Sequence, residues 1–303
     1  MISIKDFKKL TLKDKYIFEE FYKKYPPVHS DEIFTTMISW MKYSKYSYIK
    51  MKDNIVVMNE INNEIHFRLP IGKKNVELLK DVFCLAVEFG SDKPFVVFDI
   101  KSKEWMKKEF SSINFNKSRD YFDYVYKSSD LANLSGSKYS KIRNRLNKFQ
   151  KNCDYDVEMI SEDNMDEVRH FLRRWCLWKD CDKDIVLANE KKAILYSMKH
   201  FFDLKLSGII IRINRRIEAI AVFEKMNSDT AIVHYEKGSP FFDGIYKAIN
   251  METAKILQKE FKYINREEDM GIEGLRKAKM SYRPHHMVEV NYIKKEDLKL
   301  ICK

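Results

Sequence analysis

The sequence predicts an α+β fold in two halves, each a mixed sheet flanked by helices. Three observations predict it. The 303 residues are about two domains' worth of chain, at roughly 150 residues per domain. Strand-sized apolar runs alternate with helical apolar stripes along the whole length. In the second half, three strands follow one another directly and are bracketed by helices. A composition of 45% hydrophobic and 14% aromatic residues can bury a core, and 8 Gly with 6 Pro leave little room for linkers. The division is expected between 127 and 128, giving domains 1–127 and 128–303.

The elements follow in order. Residues 31–41 read as a helix. Residues 46–51, 54–60 and 64–70 read as short strands, the last two joined by a turn at Asn62 and Asn63. Apolar residues at 78, 79, 82, 83, 86 and 87 make 74–89 a core-facing helix. Residues 95–100 read as a strand, 105–110 as a helix and 121–127 as an aromatic strand. The tyrosines of 43–48 and 121–126 alternate along strands, as sheet packing does, although tyrosines can also stack bases. In the second half, helices are expected at about 138–151, 164–179 and 190–202. Strands 206–213, 216–225 and 229–236 follow, broken by Asn214 and by Asn227 to Asp229. A long helix at 244–260, a strand at 263–264, a helix at 271–279 and a last strand at 287–293 complete the order.

Charge is unevenly spread. The chain carries 56 Lys+Arg against 45 Asp+Glu, a net +11. Residues 101–150 alone hold 12 basic and 5 acidic residues. An anionic partner is expected at that address. The five cysteines, at 84, 153, 176, 181 and 302, are an odd and scattered set in a chain too long to need stapling, so thiols are expected. No second Cys or His pair completes a zinc site around Cys176 and Cys181. His285 and His286 likewise lack partners at ligand spacing, and no metal is expected. The charged start lacks a signal core, and no apolar run approaches the ~18–20 residues of a membrane span. A soluble, cytoplasmic protein is expected.

The segment from Lys138 to Lys151 holds six basic and no acidic residues. Ile142, Leu146 and Phe149 form its packing face. Lys138, Lys141, Arg145 and Lys148 form a second stripe that can follow phosphates along a nucleic acid or a lipid surface. Arg143 falls between the stripes and could line a pocket. The alternative is a solvated face paired to acids on other elements.

Several segments resemble known signatures. DYVY (123–126) and DLANLSG (130–136), running into KYSKIRNRLNKF (138–149), resemble one signature of the DUF2156 family, which is related to the phosphatidylglycerol lysyltransferase C-terminal domain. YINREEDMGIEGLRKAKMSYRP (263–284) is similar to its second signature, and HYEKG (234–238) with GIYKAIN (244–250) to the stretch between. The resemblance spans essentially the whole chain. It implies two tandem GNAT-like (acyl-CoA N-acyltransferase-like) domains, with the active site in the second. It also implies kinship with enzymes that move an aminoacyl group from charged tRNA to a lipid or peptide acceptor. The many-helix membrane domain of the lipid-modifying relatives is expected to be absent from this chain.

Acyl transfer needs a base for the nucleophile's proton and donors for the carbonyl and leaving group. Glu236, at a strand end, is the candidate base; its alternative is a salt bridge with Lys237 or Arg212. Tyr235 and Tyr282 are candidate proton donors to the leaving group. The pyrophosphate loop expected of a CoA enzyme would fall at 241–246. There Phe241, Asp243 and Tyr246 are unsuitable, although Gly238 and Gly244 permit close backbone approach. Arg266, Glu267, Glu268 and Asp269 form a candidate site for a substrate amine, with Asp269 alternatively the cap of the next helix. Arg276, Lys277 and Lys279 could hold a tRNA 3′ end or an acidic acceptor, or complement a helix dipole.

The expectation is an acyl-group transferase using aminoacyl-tRNA or another phosphate-bearing donor, with an amine or hydroxyl acceptor and an anionic lipid head group among the candidate partners. The alternatives are a CoA-dependent (acyl-CoA) N-acyltransferase and a non-catalytic RNA- or lipid-binding module.

Overall fold

The computed structural model describes residues 2–302, which divide into two compact units: one runs to Asp123 and resumes at Val288, and the other is Tyr124–Met287. In the first unit the strands are β1 (Lys8–Lys9), β2 (Ser47–Lys50), β3 (Asn54–Ile61), β4 (Glu64–Arg68), β5 (Ile71–Gly72), β6 (Gly90–Phe98) and β7 (Asn116–Lys117). Its helices up to Asp123 are α1 (Lys15–Tyr22), α2 (Phe34–Ser39), α3 (Met41–Ser44), α4 (Val76–Phe89) and α5 (Ile100–Glu109). The sheet is antiparallel except where β4 runs parallel to β6. Asn62 and Asn63 both adopt positive φ, 52° and 66°, as a two-residue type I′ hairpin turn requires. The stripe on α4 buries Leu79, Val82, Phe83 and Ala86 on the sheet with Phe67 and Phe95. The helix expected at 31–41 is broken. The Glu32 carboxylate accepts the Val28 and His29 amides, Ile33 is extended, and α2 starts only at Phe34.

The second unit contains β8 (Asp123–Lys127), α6 (Ser128–Asn133), α7 (Ser140–Asn152), β9 (Asp156–Met159), α8 (Met165–Lys179), α9 (Ile185–Lys199), β10 (Ser207–Ile213), β11 (Arg216–Lys225), β12 (Thr230–Gly238), α10 (Ile245–Leu257), β13 (Tyr263–Asn265), α11 (Glu273–Ser281) and β14 (His286–Val288). Its sheet has the order β14-β8-β13-β12-β11-β10-β9, with β12 and β13 parallel. Helices α6, α7 and α10 share one core with the sheet, into which α7 sends Ile142, Leu146 and Phe149 as its spacing requires. Helix α8 packs on β11 and β12, and Ser197 of α9 meets Tyr235.

Three further expectations need correction. The aromatic strand before 127 belongs to the second sheet, where β8 pairs with β13, so the boundary lies nearer 123 than 127. The single strand expected at 287–293 is two: β14 ends at Val288, and β15 (Val290–Ile293) pairs with β6 and β7 in the first sheet. Helix α12 (Lys295–Lys299) then adds Leu298 to the first core. Cys84 of α4 and Cys302 form a disulfide, contrary to the expectation of thiols; they lie 218 residues apart in sequence, and sequence spacing cannot reveal such a neighbour. Cys153, Cys176 and Cys181 are free.

Candidate active site

One irregularity in β12 positions the site. Val222 of β11 is opposite Tyr235, but Phe223 is opposite Val233, so His234 is an extra residue bulged out of the ladder. Strand residues alternate faces, and a bulge resets the alternation. Ala231 and Val233 join the core beneath α10; beyond the bulge Glu236 takes up that same face and meets Asn250 of α10. Tyr235 and Lys237 turn the other way, Tyr235 to Ser197 and Lys237 to Glu190, both on α9. Tyr235, expected beside the reacting groups, is therefore on the opposite face of the sheet from Glu236.

The Glu236 carboxylate has 9% side-chain exposure. One oxygen accepts from Asn250 Nδ2 at 3.0 Å and the other is held by the Arg266 guanidinium. Neither Lys237 nor Arg212 is its partner; Arg212 binds Glu158 and Glu167. Arg266 lies over the rings of Tyr282 and Tyr126, 5.1 and 5.8 Å from their centroids. Burial pushes both phenols well above their usual pKa, and Arg266 only partly offsets this. Lys247 of α10 places its Nζ 4.7 Å from the Tyr282 centroid. Thus Glu236, Arg266 and Tyr282 of the sequence-based set converge, and Asn250, Tyr126 and Lys247 join them. The signal that could have found Lys247 and Asn250 is their three-residue spacing on a helix predicted to face that strand.

The other candidates around 266–279 hold the chain in shape. Glu267 accepts from His234 Nδ1 at 2.9 Å, while Glu224 takes Nε2 at 2.8 Å. Burial alone would lower the pKa of His234, but the hydrogen bonds to Glu224 and Glu267 outweigh it and push it up to about 10. Asp269 is fully buried, bound by Tyr124 and bidentately by Arg276, and accepts the Gly271 amide. Burial opposes its ionisation, but those bonds hold its pKa below the usual carboxylate range. It does not cap the following helix, whose N-cap residue is Ile272. Lys279 turns inward to the backbone carbonyls of Arg266, Glu267 and Glu268. Lys277 pairs with Glu273 on the exposed side of α11. Arg276 and Lys279 are thereby drawn inward rather than toward a ligand, and Glu267 and Asp269 already have cations. Glu268 is half-buried and contributes its carbonyl to Lys279.

The basic helix is partly neutralised from outside. Lys138 reaches Asp130 at 3.4 Å and Arg145 reaches Asp243 at 2.7 Å. Arg143 is folded onto the carbonyls of Leu134 and Gly136 and caps that turn. Lys141 and Lys148 stay exposed on the outer face. Gly244 has φ +98°, and a Cβ there would meet Phe149 Cβ at 2.8 Å and the Arg145 carbonyl at 3.0 Å, so this glycine serves the contact of α10 with α7. At Gly238 a Cβ would meet Ile245 at 2.9 Å. Asp243 stands immediately before the N-terminus of α10, where a pyrophosphate would have to sit. Among the described residues, no group of three or more His, Cys, Asp or Glu could hold a metal ion.

The family model described as "Phosphatidylglycerol lysyltransferase, C-terminal" matches residues 22–293. A conserved protein of unknown function from Bacteroides thetaiotaomicron has a crystal structure 32% identical in sequence, with TM-score 0.85, covering 95% of this chain and 98% of that one. The structure of L-PGS from Bacillus licheniformis is 12% identical, with TM-score 0.63, over 96% and 98% of the two chains. An uncharacterized protein of Mycoplasmoides gallisepticum, MYCGA3080, is 24% identical over 204 residues. That match takes in 66% of this chain, which spans only 62% of that relative's length. The fold is two tandem GNAT-like domains, each with a mixed sheet flanked by helices.

Proposed function

Because the chain belongs to the phosphatidylglycerol lysyltransferase C-terminal family, we propose that it is an acyl-group transferase that moves an aminoacyl group from aminoacyl-tRNA to an amine or hydroxyl acceptor. The observation that carries this reading is Glu236, a nearly covered carboxylate aimed by a bulge at a helix bearing Asn250 and Lys247. A base must stand beside the nucleophile with its lone pairs oriented, and Arg266 and Asn250 fix both oxygens of this one. Glu236 takes the acceptor's proton as its nitrogen or oxygen attacks the acyl carbon.

The donor is read from what stands at α10. Asp243 opposes a pyrophosphate at the helix start, which argues against CoA held in the usual way. Lys141 and Lys148, on the outer face of α7, suit a phosphate backbone. The acceptor is an amine or hydroxyl, a lipid head group among the options; among the described residues no helix is long and apolar enough to cross a membrane.

Incubation with radiolabelled aminoacyl-tRNAs, scoring deacylation or transfer, tests the proposal. Activity is expected, with a loss of about 10²–10⁴-fold in Glu236→Gln. No activity overturns it, and an absence of salt-sensitive tRNA binding overturns tRNA as the donor. A rise in melting temperature with CoA would favour the thioester alternative.

A further inference from the structure

Lys247 precedes Asn250 by three residues on α10, so the two side chains leave the same helix face. Asn250 reaches Glu236, and the Lys247 Nζ lies against the Tyr282 ring, as does the Arg266 guanidinium. Lys247 is half-buried, and among the described residues no carboxylate forms an ion pair with it. The charged and titratable groups around it are Arg145 on α7, Glu236 on β12, Arg266 after β13 and Tyr282 after α11. Burial lowers its pKa, Arg266 and Arg145 lower it further, and Glu236 opposes them.

Tyr282 is the other candidate acid beside Glu236. In water a phenol and a lysine ammonium are nearly matched, at about 10 and about 10.4. Burial favours the neutral form of each, and so moves them apart: the Tyr282 hydroxyl becomes the weaker acid and the Lys247 ammonium the stronger.

We propose that Lys247 is the general acid of the transfer, giving its proton to the leaving oxygen of the aminoacyl ester. This rests on the transferase reading and adds a catalytic residue to it. The acceptor's nitrogen or oxygen forms the new bond to the acyl carbon and its proton goes to Glu236. The ester C–O bond breaks, its electron pair stays on the leaving oxygen, and that oxygen takes a proton from the Lys247 ammonium. Lys247 is left as a neutral amine and Glu236 as a neutral acid, and return of one proton from Glu236 to Lys247 resets the site. No redox partner or metal is consumed. A thioester donor has far less need of such an acid, because a thiol of pKa about 8.5 departs as its thiolate.

The experiment compares wild type, Lys247→Met and Lys247→Arg on an aminoacyl-tRNA and on an aminoacyl thioester of a small thiol. Arginine keeps the positive charge but cannot give up its proton near neutral pH. Both variants are expected to lose about 10²–10⁴-fold on the oxygen ester and less than about tenfold on the thioester. The wild-type rate on the oxygen ester should fall at high pH as the ammonium is lost, and this limb should vanish in both variants. Equal losses on the two donors, or a fully active Lys247→Arg, overturn the proposal. A wild type inert on both donors overturns the transferase reading instead, and the role of Lys247 falls with it.

Discussion

Glu236 and Arg266 are each mostly covered, with 9% and 14% side-chain exposure, and each is the other's countercharge. Removing one partner strands the other, so Arg266→Met should cost about 3–5 kcal/mol in urea unfolding. The double change Arg266→Met, Glu236→Met should recover much of that. His234 gives a pH signature. Its folded pKa of about 10 lies above the ordinary 6.5, so the Glu224–His234–Glu267 array adds stability that is whole below pH 6.5 and is lost as pH rises through about 10. The stability advantage of wild type over His234→Gln, from urea unfolding at pH 6, 8 and 10.5, should shrink along that series. Charge in the sequence does not tell a side chain's direction. Glu236 was legible as a strand-end carboxylate, yet Lys279 read as a surface cation and turned inward to three carbonyls. Lys247 did not stand out, because one basic residue in an amphipathic helix looks like any solvated lysine until its partners across the core are known.

At the scale of elements, the bulge in β12 and the contact of α10 with α7 matter most. Strict alternation along β12 would place Glu236 opposite in orientation to Ala231 and Val233, and only the extra residue reverses this. Deleting His234 should therefore abolish activity while circular dichroism keeps its strand content. Gly244→Ala combines a strained positive φ with a Cβ driven into Phe149, and thermal unfolding should show a loss of about 1–3 kcal/mol. On α7, Lys141→Glu with Lys148→Glu should weaken tRNA binding and flatten its salt dependence by roughly 1.4–1.8 in log–log slope, whereas stability stays within about 0.5 kcal/mol. The helical periods and the three-strand meander were legible because local spacing encodes them. The bulge was not, since it is defined only by a register between two strands.

The whole molecule adds a covalent tie that no local pattern announces. Cys84 and Cys302 close a long loop, so reduction or Cys302→Ser should lower the stability of the first unit by about 2–5 kcal/mol, read by calorimetry. The two-sheet α+β plan was legible from the order of elements. The domain boundary was not, because β14 and β15 are separated by one residue and pair in different sheets. That division also bears on synthesis. In the first sheet β15 stands between β6 and β7, so the strands on either side of it wait, unjoined, until residue 293 has left the ribosome. Every strand of the second sheet has emerged by Val288. The later half of the chain is thus able to fold before the earlier half is whole, an inversion of the usual vectorial order. A nascent-chain force profile should register the second unit first.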